Sequence, residues 1–430
     1  MKTFNVGLVG FGTVGTGVAK ILLEKGEELA RRTGVRIHLA RVVDTDLKRR
    51  RPVRLPPGIL SDDFEALLKD CEIQVGVELL GGTAAAREIQ LRLLKSGKHV
   101  VTANKALLAI HGTRIFKSAV RAGKVVAFEA SVCAGIPIIA ALREGFVANR
   151  IESFLGIVNG TANYILSRMD HDGIPYEEAL REAKQKGYAE KDPTLDVDGI
   201  DSAQKLSILA RSAFGVDFNY EKISCEGIRR IDLRDIQYAR ELGYAVKLLA
   251  IGKNHPREIE LRVHPTLVPR GHPLGVVDGV FNAVSLKGDA VGECLFYGRG
   301  AGMMPTASAV VADLVDVATG SLERSFSRLG AFWGEAPRRR IRNILDTRGK
   351  YYLRFLVTDR PGVLGKISTI LGHHHISILS VMQKEIRRIG PVPLVVMTHE
   401  ARERDVRAAL RQIDALDVVK GRTVAIRVES

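Results

Sequence analysis

The chain is poor in cysteine and aromatic residues and has no long apolar run, and each shortage removes a class of function. Its four cysteines, Cys71, Cys133, Cys225 and Cys294, lie far apart with no paired spacing. Neither a disulfide framework nor a zinc-ligand pattern is present, so a reducing compartment, the cytoplasm, is expected. No stretch reaches the ~18 consecutive apolar residues that a membrane helix needs. The opening residues Met1 to Gly10 run from a short apolar stretch straight into a glycine turn, unlike a secretory leader. Aromatic residues make up only 6% of the chain. The densest basic run, Lys48-Arg49-Arg50-Arg51 with Arg54, has none between its charges. The net charge of +15 is spread among acids along the whole length, so nucleic acid is not an expected partner. Anionic small molecules, such as dinucleotides and amino-acid carboxylates, suit the same bias. No internal repeat or low-complexity segment occurs.

What is present fits two or three globular domains in 430 residues, with 46% apolar and 26% charged residues. Strand-like runs at 4–9, 35–43, 73–80, 99–102 and 124–128 alternate with helical patterns, including 13–32 and 84–95. That alternation predicts an α/β fold with a parallel sheet. Ligands bind beyond the carboxyl ends of such strands. Those ends carry Gly10-Phe11-Gly12, Asp44, Gly81-Gly82-Thr83, Asn104-Lys105 and Glu129. Residues 136–299 read as an inserted α+β domain for substrate binding and oligomerisation. A second glycine turn, Gly298 to Gly302, leads into a helix at 305–318, so 300–325 is expected to complete the first domain, 1–135. Residues 326–350 read as a linker, with Pro337-Arg338-Arg339-Arg340 at its centre. Residues 351–430 read as a βαββαβ module, with strands at 351–358, 376–384, 393–398 and 417–428 and helices at 363–371 and 402–412.

Gly10-Phe11-Gly12-Thr13-Val14-Gly15 follows a strand and opens a helix. The first glycine permits a tight turn, the second lets the backbone approach a pyrophosphate, and the third packs helix on strand. The helix N-terminus then offers unpaired N–H groups to the phosphates. Asp44 ends the second strand, where an acid bonds the ribose 2′-hydroxyl of NAD, although it lies beyond the usual ~20 residues from the glycines. Lys48, Arg49 and above all Arg50 could instead clamp the 2′-phosphate of NADP. Both cofactors stay open.

The segment Ala183 to Lys205 is the richest in chemistry. Gly187 is placed to cap a helix at 176–186, an acidic loop follows, and a new helix starts near 198–200. Asp201 and Lys205 are four apart, hence on one helix face, though a solvated helix shows such pairs too. Glu190, Asp192, Asp196 and Asp198 just upstream are expected to converge there, holding the lysine protonated and binding a substrate ammonium group.

Ala183, Gly187, Asp192-Pro193, Asp196, Gly199, Asp201 and Lys205 fall at the spacing of the homoserine dehydrogenase signature, and the segment resembles it. The resemblance extends to Asn104-Lys105, to Glu129 through Pro137, to Asn159 through Tyr164, and to Gly300-Ala301-Gly302 with Pro305 through Ala309. It covers nearly the whole chain up to about 320, and with no aspartokinase region before Met1 it is to the monofunctional form. It implies reversible, NAD- or NADP-dependent oxidation of L-homoserine to L-aspartate 4-semialdehyde, within aspartate-derived threonine, methionine and isoleucine biosynthesis. It also implies that Lys205 transfers the proton with Lys105 beside it, and that Glu190, Asp196 and Asp201 hold the substrate amino group. Thr83, Lys105 and Gly302 would line the cofactor. Oxidation of an alcohol needs a base for the hydroxyl proton and a charge to stabilise the alkoxide. Glu129 and the carbonyls of Val132, Ala134 and Ile136 resemble the family's monovalent-cation site, for sodium or potassium.

Asp359-Arg360-Pro361-Gly362, with Val363 and Leu364 after it, resembles the opening loop of an ACT domain, the ferredoxin-like module that binds amino acids. A helix N-terminus behind that turn can accept a carboxylate. The resemblance supplies L-threonine as effector and, because such modules pair, a homo-oligomer, either dimer or tetramer. His373-His374-His375 are three adjacent side chains that point in different directions, so no metal site is expected there. Two rival functions stand beside this one. A semialdehyde dehydrogenase needs an activated cysteine near a histidine, and Cys133 has none nearby in sequence. A non-catalytic amino-acid-sensing regulator could keep the Rossmann domain, but retention of both lysines and both acids argues against it.

Overall fold

A computed structural model describes residues 1–384 and 390–429. Its first sheet has six strands in the spatial order Leu60–Ser61, Val35–Val43, Lys2–Val9, Ile73–Glu78, His99–Thr102 and Val126–Ala127. All pairings are parallel. Val6, Leu8, Val75, Val77, Val100 and Val101 are buried because helices cover both faces, which is why these strands read as apolar runs rather than alternations. The last strand is shorter than expected, since the backbone turns into a 3-10 helix at Glu129–Ser131. The helix Met303–Ala318 returns to this domain and lies on the helix Thr13–Thr33. A β-carbon on Gly17 would stand 2.9 Å from the Ala307 methyl, so the absent side chain sets that close approach. The helix begins two residues before Pro305, leaving the proline in the first turn, where its missing N–H costs no bond.

The second sheet runs through nine strands: Gly292–Arg299, Phe281–Gly288, Ile151–Ile157, Tyr244–Asn254, Glu258–Pro269, Val424–Val428, Arg348–Thr358, Pro391–Thr398 and Ile378–Met382. The first five are mutually antiparallel and belong to the middle of the chain. The last four, with the helices Val363–His373 and Glu403–Asp414, make the βαββαβ module, its strands ordered fourth, first, third, second. The joint between the halves is a backbone ladder. Thr266 and Leu267 pair with Arg427 and Val428, in parallel.

Buried charges lock this joint. Arg354 of the module reaches both oxygens of Asp235, at 2.6 and 2.9 Å, and the Tyr352 hydroxyl donates to the same carboxylate at 3.0 Å. Arg427 donates to Glu226 at 2.9 and 3.0 Å and to Glu403 at 2.6 and 2.8 Å. The segment expected as a linker is corrected accordingly. Phe326, Leu329, Phe332 and Trp333 are buried, and Phe332 stacks on Phe116 with ring centroids 4.7 Å apart. Arg340–Ile341 adds to the middle sheet beside Glu258–Ile259. Apolar side chains with a core to enter do not form a spacer, whatever the prolines and arginines around them suggest.

Asp235→Ala should test the joint. Removing one partner leaves the Arg354 charge buried and unpaired, at a cost of ~3–5 kcal/mol. The melting midpoint of the variant should fall by several degrees, and an unchanged midpoint would show that docking of the module does not depend on this pair.

Candidate active site

The glycine loop has the geometry of a pyrophosphate cradle. Gly10 has φ +98°, and a β-carbon there would lie 2.8 Å from the Leu79 carbonyl oxygen. One on Gly15 would lie 2.1 Å from the Gly10 oxygen, whereas one on Gly12 would meet nothing within 4 Å. The first and third glycines are thus fixed by packing, and the second keeps open the space a phosphate needs. Thr13 is exposed and Val14 half-buried at the first turn of the helix, whose N-terminus has no side-chain cap to compete for its N–H groups.

Asp44 ends its strand beside the loop, but its carboxylate is engaged. It accepts from the Phe11 N–H at 2.6 Å and from the Asp46 N–H at 2.8 Å. The basic side chain packed against this place is Arg51, while the expected Arg50 is exposed. Arg51 stands 4.6 Å over the Phe11 ring, donates to the Phe11 carbonyl at 2.7 Å and lies 3.4 Å from Asp44. Its side chain is only 5% exposed. Thr83 opens the helix Ala84–Lys95 without a cap bond from its side chain. Asn104 caps the helix Lys105–Arg121 and donates to Gly82 at 2.8 Å, tying Lys105 to the Gly81-Gly82 turn. Glu78, unforeseen, lies buried beneath that turn and accepts from Leu80 N, Gln90 and Thr102. Burial pushes its pKa up. An acid ending the apolar run at 73–80 was its only trace in the sequence.

On the middle domain, Asp201 gathers both lysines. Lys205 donates to one carboxylate oxygen at 2.8 Å and to the Val158 carbonyl at 2.7 Å, while Lys105 lies 3.3 Å from the other oxygen. Lys105 comes from the parallel-sheet domain and Lys205 from the helix Ile200–Phe214 of the middle domain. Burial works to raise the Asp201 pKa, but the charges of Lys205 and Lys105 outweigh it and hold it at about 2. For Lys205 burial works downward, and the Asp201 charge outweighs it, so its pKa ends up raised. Asn159, named in the sequence only as the start of a stretch that resembles the family and given no role there, donates to Asp201 at 2.8 Å and to Asp196 at 2.7 Å.

The other upstream acids do not converge. Asp192 bonds Thr194, Asp198 pairs with Arg229, and Glu190 is exposed on the loop. Each charge finds a local partner or water instead of crowding its like. Asp201 turns one oxygen to Lys205 and Asn159 and the other to Lys105.

The turn at Glu129 is tied by bonds to neighbouring backbone. Its carboxylate accepts from Ile139 N at 2.9 Å and Ala140 N at 2.7 Å, and the Ile136 carbonyl accepts from Ile138 N. Burial pushes the Glu129 pKa up to about 7. Val132 and Ala134 lie buried in the same turn. Among the described residues no group of three or more His, Cys, Asp or Glu side chains could hold a metal ion. Burial likewise pushes the Cys133 thiol up to about 12, which suits an inert group rather than a thioester-forming nucleophile. In the C-terminal module Gly362 has φ +86° and opens the helix beginning Val363-Leu364 with no side-chain cap, while Asp359 accepts from Gln383 at 3.3 Å.

Comparison with known proteins decides the family. Residues 137–315 match the homoserine dehydrogenase model, 10–129 that of the homoserine dehydrogenase NAD-binding domain, and 351–418 that of the ACT domain. A homoserine dehydrogenase of Pseudomonas aeruginosa is 46% identical over 436 residues, covering 100% of this chain and 99% of its own. The chain belongs to the homoserine dehydrogenase family.

One of Neisseria gonorrhoeae is 43% identical at the same coverage of each chain. A crystal structure of a homoserine dehydrogenase from Thiobacillus denitrificans superposes with a TM-score of 0.93 at 46% identity, covering 100% of this chain and 99% of the other. A hyperthermophilic archaeal homoserine dehydrogenase mutant, 27% identical and covering 74% of this chain and 98% of its own (TM-score 0.61), was solved in complex with NADPH. The enzyme therefore interconverts L-homoserine and L-aspartate 4-semialdehyde with a nicotinamide cofactor, and neither rival reading is favoured. Its first sheet is the Rossmann-type NAD-binding domain and its last residues an ACT domain. No helix among the described residues is long and apolar enough to cross a membrane.

Arg51 should reveal which dinucleotide this loop reads. Loss of a charge-assisted bond to a 2′-phosphate is worth about tenfold in binding. In Arg51→Ala the KM for NADP should rise by about that factor and that for NAD much less, with Arg50→Ala near wild type. Equal rises for both cofactors would reduce Arg51 to a brace for the loop.

Proposed function

We propose that Lys205 moves the proton of the reaction, with Lys105 supplying positive charge at the reacting oxygen. The observation that carries this is the meeting of two lysines, one from each domain, on opposite oxygens of one buried carboxylate. The nicotinamide, when bound on the glycine loop, supplies the hydride chemistry at the substrate carbon. Lys205 is protonated at neutral pH because its pKa is raised, so it donates to the aldehyde oxygen when the semialdehyde is reduced. In the reverse direction it must first lose that proton, so homoserine oxidation gains with rising pH. Asp201 is committed to the lysines, which leaves the substrate ammonium to Asp196 and Glu190. Asp196 has one oxygen on Asn159 and no partner on the other among the described residues. The cofactor is NAD or NADP, since the Asp44 carboxylate and the Arg51 guanidinium stand side by side at the ribose end. The sodium or potassium ion expected at the Glu129 turn would be held by the Glu129 carboxylate and the carbonyls of Val132, Ala134 and Ile136, and no step is assigned to it. Four free thiols accord with a cytoplasmic enzyme.

Lys205→Ala tests the assignment. Its kcat should fall ~10²–10⁴-fold in both directions, with cofactor binding by fluorescence titration unchanged, and the alkaline rise of homoserine oxidation should disappear. Retention of more than a tenth of wild-type turnover would transfer the proton to another group.

The ACT domain binds an amino-acid effector, for which L-threonine is the candidate, at the turn of Asp359 and Gly362 and the N-terminus at Val363 and Leu364. Leu364, Leu379 and Val381 are exposed around the edge strand Ile378–Met382. Those apolar groups and the open strand edge suit pairing with a second copy, hence a homo-oligomer, dimer or tetramer. A physical route leads inward. Arg427 and Arg407 hold Glu226, and the next residue, Gly227, sits so tightly against the signature loop that a β-carbon would lie 2.1 Å from the Val197 oxygen. Ile228 N donates to that oxygen at 2.7 Å, and Arg229 pairs with Asp198. Glu226→Gln should keep basal turnover and weaken inhibition by threonine several-fold, within the ~1–3 kcal/mol usual for coupling between sites. Full threonine sensitivity in that variant would rule out this route, and a wild-type enzyme indifferent to millimolar threonine would rule out the effector.

A further inference from the structure

Asn159 sits where the strand Ile151–Ile157 hands over to the helix Gly160–Asp172, and every polar atom of its buried side chain is engaged. Its oxygen accepts from Ala162 N at 2.7 Å, the ordinary N-cap bond. Its nitrogen donates to Asp196 at 2.7 Å and to Asp201 at 2.8 Å. The two acids come from different elements, the short turn Thr194–Val197 and the helix Ile200–Phe214. Both carboxylates accept from the same nitrogen, so two like charges are held close together in a partly dry site. The residue before Asn159 supplies the carbonyl that takes Lys205. The backbone here cannot drift, since a β-carbon on Gly160 would lie 2.7 Å from the Val280 oxygen.

A helix cap needs only the oxygen. The two nitrogen bonds serve the acids, and cutting them would let Asp196 move away from Asp201 or take up a proton to relieve the repulsion. We propose that Asn159 is a positioning residue of the reaction, holding the Asp196 and Asp201 carboxylates in fixed relation so that the second oxygen of Asp196 faces the substrate ammonium. The ammonium contact rests on the reading of Asp196 given above; the bridging by Asn159 does not. The titratable and charged groups around the amide are Asp196 and Asp201 themselves, with Lys105, Lys205, Cys133 and Tyr220 grouped about Asp201.

Two substitutions separate capping from positioning. Asn159→Asp keeps an oxygen that caps the helix about as well but has no N–H to give and brings a third negative charge. Asn159→Ala loses both functions. If Asn159 positions the acids, both variants raise the KM for homoserine on the order of tenfold, as for loss of a bond to a charged group, with the cofactor KM unchanged. The acid limb of kcat/KM moves to higher pH in both, because a carboxylate deprived of its donor protonates more readily, and it moves further in Asn159→Asp. Melting curves and NADPH titration check that the fold and the other domain are intact. Wild-type KM and pH profile in a folded Asn159→Asp overturn the proposal and leave a helix cap. Asp196→Asn, measured alongside, isolates the ammonium reading: a wild-type homoserine KM there refutes that role for Asp196, while the Asn159 variants still decide whether the bridge matters.

Discussion

A single buried carboxylate sets the terms for the catalytic half of this molecule. Asp201 takes donors from three elements: Lys205 on its own helix, Asn159 at a strand end, and Lys105 from the opposite domain. An isolated buried carboxylate would protonate, and an isolated buried lysine such as Lys205 would shed its charge. Placed together, Asp201 and Lys205 keep one another ionised, so the site holds charge without an unpaired buried ion. The domain crevice is consequently defined by chemistry as well as by shape. Whatever separates Lys105 from Asp201, such as a hinge motion of the parallel-sheet domain, also changes the charge felt at Lys205.

A second set of ions governs the other end. The ACT module is fused to the middle sheet by a strand ladder and by Arg354, Arg427 and their acids, so its state cannot change without straining contacts on Asp235 and Glu226. Interfaces of this kind are bistable rather than continuously soft, which is what a regulatory module needs from its seat.

Much of this was legible in the sequence because it follows from local rules. The glycine turn, the parallel strands and the four-residue spacing of Asp201 and Lys205 each report a neighbour close along the chain. What stayed hidden depended on distant or directional facts. Asn159 meets Asp201 across 42 residues, and no periodicity encodes that contact. Arg51 differs from Arg50 only in which way a loop residue turns, a choice made by the Phe11 ring and carbonyl. The acids upstream of Asp201 look like a cluster when written in a row, yet Asp192 and Asp198 satisfy themselves locally. Residues 326–333 were masked by the basic stretch after them, although their phenylalanines and tryptophan pack on Phe116.

The parallel ladder between Glu258–Pro269 and Val424–Val428 also bears on how the chain is made. The two strands are separated by residues 270–423, about 150 positions. At a synthesis rate of roughly 5–20 residues per second, the middle sheet waits on the order of ten to thirty seconds for its neighbouring strand. During that interval one side of the twelve-residue strand Glu258–Pro269 is incomplete, and open strand edges recruit other chains. The nascent protein thus carries a timed liability that ends only when the strand Val424–Val428 has emerged. A stop codon between the catalytic residues and Val424 would make that transient edge permanent.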